Sequence, residues 1–127
     1  MNLLINGHYY ISSLELSWKI VRNPNDIMAF YNRGTVRSQY GYHRGAISDF
    51  TQAIKVRSRK PSTLVRAASA YFQRGQEYEL MGETKRAILD YQTAAAIYKK
   101  YGEISTYEQV NYEIIRLLED NKFDLMQ

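Results

Sequence analysis

The chain has 127 residues, 45 % of them apolar, and a net charge of +4, which allows one packed domain and excludes a chain disordered throughout. It has no cysteine, so a disulfide framework, a thiolate metal site and a thiol nucleophile are all excluded. No run approaches the roughly 18 apolar residues of a membrane helix, and the segment from Met1 to His8 lacks the basic and apolar regions of a secretion signal; a soluble, cytoplasmic protein is expected.

Residues 1–22 hold Ile11, Leu14, Trp18 and Val21 on one helical stripe, which predicts a helix from about residue 9 that covers the end of whatever follows. Leu3 to Ile11, around Asn6-Gly7, also fits a β-hairpin, although an isolated hairpin is marginal. Asn23 before Pro24 predicts an N-cap with proline in the first turn, opening a helix to Tyr40 that Gly41 ends in the left-handed conformation. A second helix, about His43 to Arg57, carries Ala46, Ile47, Phe50, Ala53 and Ile54 on one stripe. A third opens near Pro61-Ser62 and runs to Gly82 with Leu64, Ala67, Ala68, Tyr71, Phe72 and Tyr78. A fourth, Thr84 to Tyr101, carries Ala87, Ile88, Tyr91, Ala94, Ala95 and Tyr98 and stops at Gly102. The last begins at Ser105, where Ser105 and Glu108 form a capping box, and buries Tyr107, Val110, Ile114, Leu117 and Leu118.

The chain matches itself at an offset of 41 residues. Phe30 falls on Tyr71, Arg33 on Arg74, Gly34 on Gly75, Gly41 on Gly82, Ala46 on Ala87, Asp49 on Asp90, Phe50 on Tyr91 and Ala53 on Ala94. Two copies of one helical hairpin are therefore expected, over 24–57 and 61–101, between an N-terminal cap at 1–22 and a closing helix at 105–120. Gly34 and Gly75 lie inside helices, where each costs about 1 kcal/mol against alanine. Their recurrence predicts a close helix crossing, with Ala46 and Ala87 as the facing small residues.

This pattern resembles the tetratricopeptide repeat, carried in the first copy by Phe30, Gly34, Ala46, Phe50 and Ala53 and in the second by Tyr71, Gly75, Tyr78, Ala87, Tyr91 and Ala94. The resemblance implies an all-α superhelix, a solenoid of about six helices. Arg33, Arg37 and Arg74 depart from the leucine, tyrosine and leucine the family prefers. The interval of 41 exceeds the family's 34 by almost two helical turns, inserted around Arg57–Val65 and leaving the buried face in phase.

A catalytic constellation is not visible. His8 and His43 are the only histidines, no carboxylate cluster or His pair suits a metal, and Gly41-Tyr42-His43-Arg44-Gly45 lacks the residues of a phosphate loop. A non-catalytic scaffold without cofactor or metal is expected, with a protein or peptide partner. The resemblance places its groove on the first helix of each repeat, here Met28, Tyr31, Asn32, Thr35, Ser38 and Gln39, then Ser69, Phe72, Gln73, Gln76, Glu79 and Leu80. Tyr31 and Phe72 are either anchors for that partner or packed on neighbouring helices. Tyr31 and Thr35 stand where carboxylate-clamping relatives carry basic and amide residues, so recognition of a chaperone tail is not expected.

A second surface is the basic turn of Lys55, Arg57, Arg59, Lys60 and Arg66, which suits nucleic acid or another acidic ligand; it carries no interleaved aromatic, which makes nucleic acid the weaker reading. Charge also divides along the chain. Residues 1–66 hold ten Lys/Arg against three Asp/Glu, and residues 67–127 seven against ten, an asymmetry that invites head-to-tail self-assembly.

Overall fold

The computed structural model describes residues 3–57 and 60–126, with side chains for 7, 9, 11–57 and 60–122. Among the described residues there are six helices and no strand: α1 (Leu3–Arg22), α2 (Ile27–Gln39), α3 (His43–Lys55), α4 (Pro61–Leu80), α5 (Thr84–Lys100) and α6 (Ile104–Met126). Each helix packs on the next, and α2 also packs on α4. The result is an all-α array of two hairpins, α2–α3 and α4–α5, flanked by α1 and α6.

Glycine sets the hairpin turns. Gly41, Gly82 and Gly102 have φ of +82°, +77° and +77°, a conformation a side chain disfavours. Around Gly41 the Tyr42 amide donates to Arg37 O at 2.8 Å and the Gly41 amide to Ser38 O at 3.0 Å, the paired bonds of a Schellman motif. The same pair recurs at Glu83–Tyr78 with Gly82–Glu79, and at Glu103–Tyr98 with Gly102–Lys99. Glycine is thus the stop after α2, α4 and α5.

The helix starts differ from the sequence expectation. Asp26, not Asn23, caps α2, its carboxylate accepting from the Ala29 amide at 3.1 Å. Asn23 instead shapes the preceding turn, accepting from the Asn25 amide. α6 opens at Ile104, with the Tyr107 amide bonded to Glu103 O, so Ser105 lies inside the first turn and does not cap. The N-terminal segment is helical from Leu3, which removes the hairpin reading.

The glycines at 34 and 75 do admit close packing, but what fills the space is a ring. A Cβ on Gly34 would stand 2.9 Å from the Phe50 ring, and one on Gly75 2.7 Å from the Tyr91 ring and 3.2 Å from the Ala87 carbonyl oxygen. Ala46 and Ala87 are fully buried beside them, yet the counterpart of each missing side chain is aromatic. Burying a ring such as that of Phe50 contributes roughly 2–3 kcal/mol. Two cores result, one around Phe30, Phe50 and Ile54 and the other around Tyr91, Tyr98, Val110 and Ile114.

The arginines that break the family pattern are held by carboxylates. Arg33 makes two bonds to Asp49, at 2.9 and 2.8 Å, and Arg74 two to Asp90, both at 2.8 Å. Both aspartates are buried. Each arginine also reaches back to the preceding helix: Arg33 donates to the Ser17 hydroxyl of α1 and Arg74 to the Thr51 hydroxyl of α3. α1 therefore relates to α2 as α3 does to α4. The longer repeat interval shows in α4, which has 20 residues where α2 has 13.

Candidate partner-binding groove

The first helices α2 and α4 and the closing helix α6 leave hollows along one face. One, of about 350 Å³, is lined by Ser38, Gln73, Gln76, Glu77, Glu79, Leu80, Tyr91, Glu113 and Arg116. Beside it a hollow of about 500 Å³ joins Phe72 to Ser105, Glu108, Gln109, Tyr112 and Glu113. A smaller one lies between Met28, Tyr31, Arg66 and Ser69. Phe72, Gln73, Gln76 and Glu79 thus sit together, and Met28 and Tyr31 sit at the other end. Asn32 and Gln39 are exposed outside these hollows, and the Thr35 hydroxyl is turned back onto Tyr31 O.

The two aromatic residues named from sequence are packed. Tyr31 lies 5.7 Å from the Phe50 ring and Phe72 5.3 Å from that of Tyr91, centroid to centroid. The aromatic side chain the groove leaves open is Tyr112 of α6, 66 % exposed. α6 supplies five of the six residues that line the hollow beside Phe72 and two of the nine that line the other, which sequence reading missed because it treated that helix as a cap. The signal was available: Tyr112, Glu113 and Arg116 alternate in helical phase with the buried Val110, Ile114 and Leu117.

Polar groups tie the groove floor. Arg116 donates to both Glu79 oxygens, at 2.9 and 2.7 Å, and to Glu113 at 2.8 Å; these bonds raise its pKa above the usual guanidinium range. The Tyr91 hydroxyl donates to Glu79 at 3.0 Å, and burial first, then that bond, push its pKa well above the ordinary phenol value. Burial likewise raises Tyr31 and Tyr98. Below the groove Glu77 is buried and holds Ser38 and His43, the latter at 2.6 Å. The Glu77 carboxylate thus bridges the Ser38 hydroxyl of α2 and the His43 imidazole of α3.

Of the basic turn, Lys55, Arg57, Lys60 and Arg66 are exposed, while Arg59 lies outside the described residues. Arg57 is turned onto Ile54 O at 2.9 Å, where it caps the end of α3, and Arg66 belongs to the small hollow beside Tyr31. A further hollow at the turns joins Tyr9, Arg37, Tyr42, His43 and Arg44. Among the described residues there is no group of three potential ligands that could hold a metal, and no helix long and apolar enough to cross a membrane.

Hairpins stacked in one direction, with the face of their first helices left open, define an α-helical repeat protein. Residues 68–101 match the tetratricopeptide repeat family, and α2–α3 repeats that unit with the same glycines, rings and arginine–aspartate pairs. The chain carries a tetratricopeptide repeat in α4–α5, and its all-α array has the architecture of such repeats. A crystal structure of MamA protein has this fold, at 21 % identity and a TM-score of 0.58, over 84 % of this chain and 58 % of its own. This chain therefore spans under two thirds of that neighbour's length. A second crystal structure of MamA aligns over 100 % of this chain and 99 % of its own, at 13 % identity and a TM-score of 0.39. No curated protein matches the sequence.

Proposed function

We propose that this protein is a non-catalytic adaptor that takes a peptide or helix of a protein partner into the groove between α2, α4 and α6. The observation that carries this reading is the pair of adjoining hollows, in which amides and carboxylates surround one open aromatic, Tyr112. An aromatic anchor beside satisfiable polar groups suits main-chain and side-chain contacts of a partner segment. Glu79, Glu108 and Glu113 outnumber Arg116 there, which favours a partner segment carrying amide, hydroxyl or cationic side chains. Repeat arrays are used in this way because stacking leaves an extended surface and not an enclosed reactive pocket.

The test is selection from a displayed peptide library, followed by calorimetry on the full chain. Selected peptides are expected to lose about tenfold or more in affinity on Tyr112→Ala with Gln76→Ala, and to be indifferent to Arg57→Ala. Peptides indifferent to those changes, or binding that collapses with salt and with Arg57→Ala, would move the interface to the basic turn.

A further inference from the structure

The turns of the two hairpins are built differently. In the second, Glu83 pairs with Arg86 at 3.2 Å, so the hollow at that turn carries its own carboxylate. In the first, the equivalent positions are Tyr42 and Gly45, and the hollow there, of about 600 Å³, has no acidic residue in its lining. Gly45 leaves room for Arg37: a Cβ there would stand 3.2 Å from the Arg37 Cδ. Arg37 crosses that gap to Asp49 at 3.1 Å, a carboxylate that already accepts two bonds from Arg33. Arg44 lines the same hollow, is exposed and makes no ion pair among the described residues. Three guanidiniums therefore meet two carboxylates in this cluster, Asp49 and the Glu77 bound to His43, and the excess positive charge lies at the hollow. In the second repeat Tyr78 replaces Arg37, and Asp90 holds Arg74 alone.

Apolar groups stand beside those cations. Tyr9 of α1 stacks on Tyr42, ring centroids 4.8 Å apart, and Tyr40 meets Tyr9 edge-on at 5.4 Å. Tyr42 is 49 % exposed, and Met81, just past α4, adds a thioether to the lining. We propose that this hollow receives an acidic segment of a partner protein, with one carboxylate on the Arg44 guanidinium and a neighbouring aromatic side chain on Tyr42 and Met81. An exposed guanidinium takes a carboxylate in a paired, charge-assisted contact, and Arg37, whose counter-ion is shared, adds to the attraction. The Tyr42 ring offers a flat, amphipathic face with little rotamer freedom to lose. The hollow is open at the surface, which suits a protruding pair of side chains and not a small molecule that must be buried over most of its area. It shares no lining residue with the groove hollows, so it stands whether or not the groove reading holds.

The probe is a short fluorescein-labelled peptide in which glutamates flank a phenylalanine, titrated with the full chain and followed by anisotropy. It is expected to bind, more weakly as salt rises, and to lose about tenfold in affinity when its glutamates become glutamine or its phenylalanine glycine. Two variants at exposed positions are expected to weaken it about tenfold or more: Arg44→Glu, and Tyr42→Glu, which gives the first turn the carboxylate of the second. Circular dichroism checks that both remain helical; should either unfold, the glutamine peptide still decides on the wild type. Lys85→Glu, at the equivalent place in the second turn, and Lys55→Glu, in the basic turn, carry a like change of charge and are expected to leave the affinity within about twofold. Four results overturn the proposal: no binding to the wild type, equal binding of the glutamine peptide, a lysine variant that weakens binding as much as Arg44→Glu, or displacement by inorganic phosphate at equal concentration.

Discussion

In the first repeat Asp49 accepts from two guanidiniums, Arg33 and Arg37; in the second Asp90 accepts from Arg74, and Tyr78 stands where Arg37 does. Phe50 ends at its ring, whereas Tyr91 continues to Glu79 and through it to Arg116 on α6. The inner device is therefore common to both repeats: a glycine, the ring that occupies its missing side chain, and an arginine tied to a buried carboxylate. What varies is the periphery, and the variation follows the neighbour. The repeat next to α6 has acquired a hydroxyl that reaches it.

The largest break in this comparison is expected from Asp49→Ala. It leaves two arginines at a site where the carboxylate is only 1 % exposed, and stripping one side from a buried pair costs about 3–5 kcal/mol. Asp90→Ala strands one arginine and should cost less, about 2–3 kcal/mol by the same reasoning. Urea unfolding of both variants checks this, and equal losses would show that Arg37 contributes nothing to Asp49. Next is the glycine pair. Gly75→Ala meets both a ring and a backbone oxygen, Gly34→Ala a ring alone, so the first should cost about 1–2 kcal/mol and the second under about 1, after the helix-propensity gain of alanine. Thermal unfolding gives the order, and the reverse order would contradict the closer packing at 75. The smallest effect is Tyr91→Phe, which gives the second repeat the first one's residue and removes one hydrogen bond, worth about 1 kcal/mol. If that bond ties the repeat to α6, the loss should shrink in an Arg116→Ala background, as a double-mutant cycle measures.

The hairpins were legible in the sequence because their signals are local. A glycine after an apolar stripe needs no knowledge of the neighbour to end a helix, and Gly41, Gly82 and Gly102 do so. The recurrence of Gly34 and Gly75 likewise marked a close crossing, but the ring that fills it could not be told from the adjacent alanine by spacing alone. Contacts that depend on what a face meets were less readable. The stripe of Ile11, Leu14, Trp18 and Val21 was seen, yet it points outward, since periodicity finds a face and not its partner. Tyr31 and Phe72 have the composition of groove anchors and are half-buried against Phe50 and Tyr91. Arg33 with Asp49 and Arg74 with Asp90 recur at the same separation in both copies, the one long-range signal the sequence carried openly. It was noted as a departure from a family pattern, and its electrostatic meaning required the fold.

Glu77 gives the array a property that neither repeat has alone. Its buried carboxylate belongs to the second hairpin, but the groups that hold it, Ser38 and His43, belong to the first. The hairpins are consequently not interchangeable cassettes: excising the first, or exchanging their order, would take from the Glu77 carboxylate the two groups that hold it. Melting of either unit is coupled to melting of the other through this contact, through Arg74 on Thr51 and through the packing of α4 on α2 and α3, and the pair should come apart as one cooperative block.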